Sequence, residues 1–309
     1  MFYYFVKSER SPREDPLIVW LTGGPGCSSF MGFAFENGPV IFNVEEYNGS
    51  LPNLVNNPNS WTKVANIIYI DAPIGTGYSY SKRLKSYATN DLRSSKEVYQ
   101  FLIKWFADHP EFLSNSLYIG GDSYSGITVP VLTQEISNGI QGYLLGNPVT
   151  DRDFDDQAKI PYCHGMGLIP DEFYELTKRS CNGKYVNPSN EQCAKCIDLV
   201  NECVSGINDA QILEPVCFYI APKPRGDLSG DHDMIVPHIS TQSWIKSLGF
   251  SIVDDWRPWS VDGQVAGFTR MYSNNLTFAT IKGGGHTAPE YRPKECSAMF
   301  RRWISENPL

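Results

Sequence analysis

Four short apolar runs constrain this chain more than any other feature. "PLIVWLTGG", "NIIYIDAP", "SLYIGG" and "IQGYLLGNP" have strand length and are apolar at nearly every position, not at every second one. A strand of that kind is buried on both faces, as in a parallel sheet sandwiched between helices. Helical spacing lies between the runs. Residues 91–106 offer Leu92, Val98, Phe101, Leu102 and Trp105 to one helix face, and a second helix is predicted from the end of "SLYIGG" to about Ile136. "FYYFVKS" near the N-terminus reads as another strand. The alternation predicts an α/β fold, with a mostly parallel central sheet and helices on both faces.

After Asp151 the pattern breaks. Pro161, Pro170, Pro188 and a cluster of cysteines replace the regular alternation as far as about Pro224. We read 1–150 as the first part of the core, 151–224 as an inserted cap and 225–309 as the second part of the core, all in one composite domain. A length of 309 residues alone would allow two domains. "SIVDDW" and "NLTFATIKGGGH" return to sheet character, and "ECSAMFRRWISE" reads as a closing helix.

A formal charge of −8 disfavours phosphate backbones and anionic lipid as partners. No apolar run approaches the length of a membrane span. The charged N-terminus, from Lys7 to Asp15, does not read as a signal peptide. Five of the eight cysteines fall between Cys181 and Cys217, with no histidine among them and one C-x-x-C, Cys193 to Cys196. That spacing does not match a zinc site, so a disulfide framework formed in an oxidising compartment is expected, with no metal and no cofactor. Asn48 and Asn275 head glycosylation sequons.

"LYIGGDSYSGITVP" carries the first chemical signal. A strand runs into a tight turn flanked by small residues, and a helix follows. This is the outline of a nucleophile elbow, with Ser123 as the nucleophile. The fifth position of Gly-x-Ser-x-Gly is Ser125, and the glycine comes one residue later, at Gly126. The plain alternative is a Gly/Ser turn without chemistry. Chain order Ser, Asp, His selects among five histidines. His109 precedes the serine, His164 lies in the cap region, His232 stands between two aspartates and His238 starts a helix. His286 in "KGGGHTAP" remains, on a flexible loop before the last helix. For the acid, "SGDHDMIVP" offers Asp231 and Asp233. Asp233 is favoured as the residue three before the Val-Pro pair, and Asp254 and Asp255 read as solvated charges.

Taken in order, "WLTGGPGCSS", "FENGP", "DAPIGTGYSYS", "GGDSYSG", "SGDHDMIVP" and "GGGHTAP" resemble the serine carboxypeptidase family. The likeness is strongest to its plant serine carboxypeptidase-like branch, which includes acyltransferases that use glucose esters. It implies an α/β-hydrolase fold, a triad of Ser123, Asp233 and His286, and an oxyanion hole from the backbone N–H groups of Gly24 and Tyr124. It also places Thr22, Gly23, Glu36 and Asp122 where carboxypeptidases bind a peptide's terminal carboxylate. Thr22 replaces an amide there, and Asp122 is one methylene shorter than the family's glutamate. The resemblance pairs Cys181 with Cys193 and Cys196 with Cys217. It gives Cys27 a partner in a segment this chain lacks and leaves Cys163, Cys203 and Cys296 unassigned. Secretion or a vacuolar location follows from the same likeness.

Several functions fit these residues. One is acyl transfer from a glucose ester to an alcohol acceptor through an acyl-serine. Another is release of C-terminal residues from peptides. A third is a truncated form without catalysis, because "PKPRGDLSGDH" before Asp233 is too rich in proline and glycine for the buried strand the family places there. "CFYIA" is the candidate substitute strand. A lipase or esterase is disfavoured by the carboxyls of Glu36 and Asp122.

Overall fold

The computed structural model describes residues 1–43, 50–136, 139–216 and 230–309. In chain order its strands and helices are β1 (Tyr3–Val6), β2 (Leu17–Leu21), β3 (Val40–Phe42), β4 (Leu54–Asn56), β5 (Asn66–Ile70), α1 (Asp91–Asp108), β6 (Leu117–Asp122), α2 (Ser125–Ile136) and β7 (Ile140–Gly146). The helices α3 (Arg152–Gly165), α4 (Asp171–Ser180), α5 (Glu191–Val204) and α6 (His238–Ser247) follow. The chain closes with β8 (Ile252–Val261), β9 (Gln264–Tyr272), β10 (Leu276–Ala279), α7 (Ala288–Tyr291) and α8 (Pro293–Ile304).

The central sheet has the order β1-β5-β2-β6-β7, and every pair except β1–β5 is parallel. β2 and β5 are buried at every residue, as their unbroken apolar runs require. Successive side chains point to opposite faces. Leu17, Val19 and Leu21 therefore meet Val98, Leu102 and Trp105 of α1 and Val129 and Leu132 of α2. Ile18 and Trp20 face the other way, toward Trp61 and Phe300 of α8. Trp61 and Phe300 stack with ring centroids 4.2 Å apart. Each large side chain buried this way contributes roughly 1.5–3 kcal/mol.

α1 departs from the expected register in one respect. Leu92 is 62% exposed, and the buried stripe instead runs through Ser94, Ser95, Val98, Leu102 and Trp105. Those five positions follow the helical repeat toward the sheet, and Leu92 falls outside it.

α3, α4 and α5 share a second core built on Ile160, Tyr162, Cys163, Tyr185, Cys193 and Val200. The disulfide Cys181–Cys193 ties the end of α4 to the start of α5. The Cys196–Cys217 pairing and the substitute strand "CFYIA" involve residues outside the described ones, as does Asn48. Asn275 is exposed in the turn between β9 and β10. β8, β9 and β10 form their own antiparallel sheet, in the order β10-β9-β8. No helix among the described residues is long and apolar enough to cross a membrane.

Candidate active site

The site gathers at the C-terminal ends of β2, β6 and β7. β6 ends at Asp122, and Ser123 takes the turn with a φ of 55°, in the left-handed region that a non-glycine residue occupies only at a cost. Its backbone is held from both sides. Ser123 N–H donates to Gly146 O at 2.9 Å, and Val149 N–H donates to Ser123 O at 2.9 Å. That clamp explains the shifted glycine. A side chain at position 126 would collide with Pro148 and the Val149 carbonyl, so the glycine is needed at 126. Ser125 is useful where it stands, because its hydroxyl donates to Leu21 O at 2.8 Å and couples the elbow to β2.

His286 reaches Ser123 from the loop between β10 and α7. Its Nε2 is 3.1 Å from Ser123 Oγ, and its Nδ1 is 2.9 Å from Asp233 Oδ2. All three side chains are at most 2% exposed. Burial pushes the imidazole well below its usual pKa near 6.5, which favours the neutral ring that can accept a proton. Asp233 accepts two backbone bonds of its own, Ile235 N–H to Oδ1 at 2.8 Å and Val236 N–H to Oδ2 at 3.0 Å. Those bonds fix its direction.

The described residues just before Asp233, Gly230 to His232, form a turn. Support comes from the side. His232 N–H donates to Gly284 O at 2.9 Å, Met234 N–H to Asp209 O at 2.9 Å, and Ile212 N–H to His232 O at 3.2 Å. His286 N–H donates to Ala210 O at 2.8 Å, so one stretch, Asp209 to Ile212, braces both the acid and the base. Met234 is fully buried in the α3–α5 core, and Tyr162 OH donates to Asp231 O at 2.9 Å. Asp231 itself accepts Gly283 N–H, the part of a turn residue. Asp254 and Asp255 pair with Arg257 and Arg270 far from this cluster in role, on β8 and β9.

The Gly-rich loop after β2 packs directly on the elbow. A side chain at Gly23 would strike Ser123 Cβ and Tyr124 N, and Gly24 has a φ of 113°. Sequence reasoning missed what holds this loop. Asp71, at the end of β5, accepts Ser28 Oγ–H at 2.7 Å, Ser29 N–H at 2.9 Å and Tyr78 N–H at 2.9 Å. The signal was present in "NIIYIDAP", where an acid ends a wholly apolar strand. Glu36 closes a π-helical turn, Gly32–Glu36, and is 2% exposed. Burial, then the nearby charges of Asp122 and Glu290, push its carboxyl well above the usual carboxylate range. Thr22, Gly23 and Tyr124 line one cavity. Among the described residues no group of three or more His, Cys, Asp or Glu could hold a metal ion.

Comparisons with known proteins identify the family and the fold. The family model described as serine carboxypeptidase matches residues 1–225 and 228–306. Serine carboxypeptidase-like 17 of Arabidopsis thaliana is 46% identical over 380 aligned positions, covering 100% of this chain and 87% of that protein. Serine carboxypeptidase-like 7 of the same plant is 44% identical over 381 positions, with 100% and 87% covered. Among solved structures, KEX1(delta)p, a prohormone-processing carboxypeptidase from Saccharomyces cerevisiae, superposes with a TM-score of 0.74. It is 19% identical, over 98% of this chain and 86% of that one, and shares the α/β-hydrolase fold.

Proposed function

The chain belongs to the serine carboxypeptidase family, and from that premise we propose that it works by acyl transfer through Ser123. The observation that carries the reading is the buried hydrogen-bonded series Ser123 Oγ, His286, Asp233. Neutral His286 takes the Ser123 proton as Oγ attacks an acyl carbonyl. Asp233 holds the ring and stabilises the imidazolium. The N–H groups of Gly24 and Tyr124 receive the oxyanion. His286 returns the proton to the departing oxygen or nitrogen, which leaves an acyl-serine. A second nucleophile then resolves it.

We favour an alcohol as that nucleophile and a glucose ester as the donor, because Thr22 and Asp122 depart from the peptide-carboxylate pattern. The chain would then be an acyltransferase. Glu36 favours a second reading, carboxypeptidase action: its buried carboxyl lies beside Asp122 and Glu290, which pushes its pKa well above the usual range and favours the protonated form that could donate to a substrate carboxylate. A truncated, inactive form draws support from the alignments, which run over 380 positions against this chain's 309 residues. Against it stands the 2.9 Å contact of Asp233 with His286. Disulfide Cys181–Cys193 supports maturation in an oxidising compartment, as expected for a secreted or vacuolar protein.

A fluorophosphonate probe tests the shared step, and well-folded protein that leaves Ser123 unlabelled sinks it. Incubation with a glucose ester plus an alcohol, beside a blocked dipeptide, separates the two activities.

A further inference from the structure

The segment between β5 and α1 departs from the charge of the rest of the chain. From Ala72 to Asn90 it contains no Asp or Glu, yet Lys82, Arg83 and Lys85 fall within four positions, in a chain whose formal charge is −8. Tyr78, Tyr80, Leu84 and Tyr87 interleave with these cations. The acids at its two ends are engaged elsewhere. Asp71 is buried and accepts from Ser28, Ser29 and Tyr78, and Asp91 accepts from Tyr124 OH at 3.2 Å.

Local bonds hold the segment in one shape. Gly75 N–H donates to Ser79 O at 2.9 Å, and Ser79 Oγ–H donates to Asp71 O at 2.6 Å. Leu84–Ser86 is a single 3-10 turn. Tyr87 OH folds back on Ser81, accepting its N–H and donating to its carbonyl, both at 3.2 Å. From α1, the Arg93 guanidinium donates to Ala88 O at 2.9 Å and to Lys85 O at 3.5 Å. These bonds fix the backbone and leave most of the side chains uncovered. Leu84 is 88% exposed, Tyr80 72% and Tyr78 67%. Lys82, Arg83 and Lys85 are exposed too, and none has a carboxylate partner among the described residues, whereas neighbouring Arg93 pairs with Glu97. An ordinary surface intersperses the two signs and scatters its apolar side chains singly.

That combination selects among partners. An acidic protein or a soluble polyanion satisfies the cations and leaves Leu84 in water. An apolar groove covers Leu84 and strands three charges. An anionic bilayer surface answers both needs. Lys and Arg meet the head groups, tyrosine rings lie at head-group level, and the leucine enters the acyl boundary. The net charge disfavours anionic lipid for the chain as a whole, but salt screens charges beyond about 8 Å at physiological ionic strength. At contact, lipid therefore meets the local patch.

We propose that the segment from Tyr78 to Tyr87 docks the protein on an anionic membrane surface, lying on the bilayer without crossing it. Asp71 binds this segment and the Gly-rich loop together. Thr89, Asn90 and Asp91, next along the chain, line the cavity that Gly23 and Tyr124 also line. Docking thus holds the Gly-rich-loop side of the core close to the lipid. The proposal is independent of which nucleophile resolves the acyl-serine.

Vesicle co-flotation tests it. Wild type is expected to bind phosphatidylcholine vesicles carrying about one part in three phosphatidylglycerol roughly tenfold or more better than phosphatidylcholine alone, and to release as salt is raised. One basic residue near such a surface is worth about fivefold in affinity, so the triple variant Lys82→Ala, Arg83→Ala, Lys85→Ala is expected to bind about 100-fold more weakly. Leu84→Ser with Tyr80→Ser keeps every charge and is expected to weaken binding about tenfold. All five side chains are exposed, so thermal melting of both variants should match wild type and shows the fold intact. Wild type that does not bind the anionic vesicles overturns the proposal, as does a triple variant that binds like wild type. If Leu84→Ser with Tyr80→Ser binds like wild type and polygalacturonate displaces the vesicles, the segment is a polyanion site and the membrane assignment falls.

Discussion

The Asp233 carboxylate meets His286 Nδ1 at 2.9 Å from a turn whose described residues make no strand, and the segment Asp209–Ile212 braces both partners through backbone hydrogen bonds. A strand end is one way to aim a catalytic acid. Here a fully buried neighbour, Met234, sinks into the α3–α5 core, and the carboxylate is oriented by Ile235 N–H and Val236 N–H.

Replacing the acid tests its role without emptying the site. Asp233→Asn preserves volume but can donate to Nδ1 and so favours the wrong imidazole tautomer. It is expected to lower kcat by about 10⁴-fold, the scale seen when a triad aspartate becomes an amide. Steady-state kinetics on an activated ester check this, and a loss below tenfold would remove Asp233 from the mechanism.

The elbow predicts a trade of activity for stability. Ser123 holds a φ of 55°, where glycine sits without strain. Ser123→Gly is expected to abolish fluorophosphonate labelling and turnover and to stabilise the fold by about 1 kcal/mol. Thermal melting beside the labelling assay reads both effects. A variant that melts well below wild type would contradict the strain argument.

The disulfide offers a test of how far the helical layer supports the site. Cys181–Cys193 closes a loop with a sequence separation of 12. Removing it with Cys181→Ser and Cys193→Ser is expected to cost about 3 kcal/mol, largely by freeing the unfolded chain. Met234 sits in the same core, so turnover should fall at temperatures where the wild type is still fully active. Activity that persists up to the wild-type melting temperature would uncouple this layer from Asp233.

Much of the fold was legible because burial on both faces leaves an unmistakable pattern. β2, β5 and β6 are apolar runs in the sequence and buried strands in the structure. Ser123 and His286 were legible through turn chemistry and chain order. The brace on Asp233 was not, because it uses backbone groups of Asp209 to Ile212, and backbone atoms carry no residue code. The register of α1 was misread at Leu92 for a related reason. Ser94 and Ser95 occupy inward positions, and hydrophobicity cannot mark a stripe that faces a polar cavity. The bonds from Asp71 to the Gly-rich loop join residues more than forty positions apart, beyond the reach of local pattern.

Glu36 makes the fold sensitive to pH, and the sign follows from its burial. The unfolded carboxyl ionises above about 4.5, whereas burial and the charges of Asp122 and Glu290 keep the folded one protonated to higher pH. Between those two points the folded state holds the extra proton, so the Glu36 contribution to stability falls as pH rises. Asp155, raised from 3.8 to about 6 by burial, adds to the same slope. His286 acts oppositely below 6.5, where the unfolded imidazole takes a proton that the buried one refuses. Glu36→Gln isolates one term, because the amide keeps the shape and cannot ionise. The variant is expected to gain stability over wild type on going from pH 4.5 to 7.5, by at most about 1.4 kcal/mol per pH unit. Urea unfolding at the two pH values measures the difference. A difference that does not change with pH would mean that Glu36 ionises in the folded protein, which would also remove the basis for carboxylate recognition by a protonated Glu36.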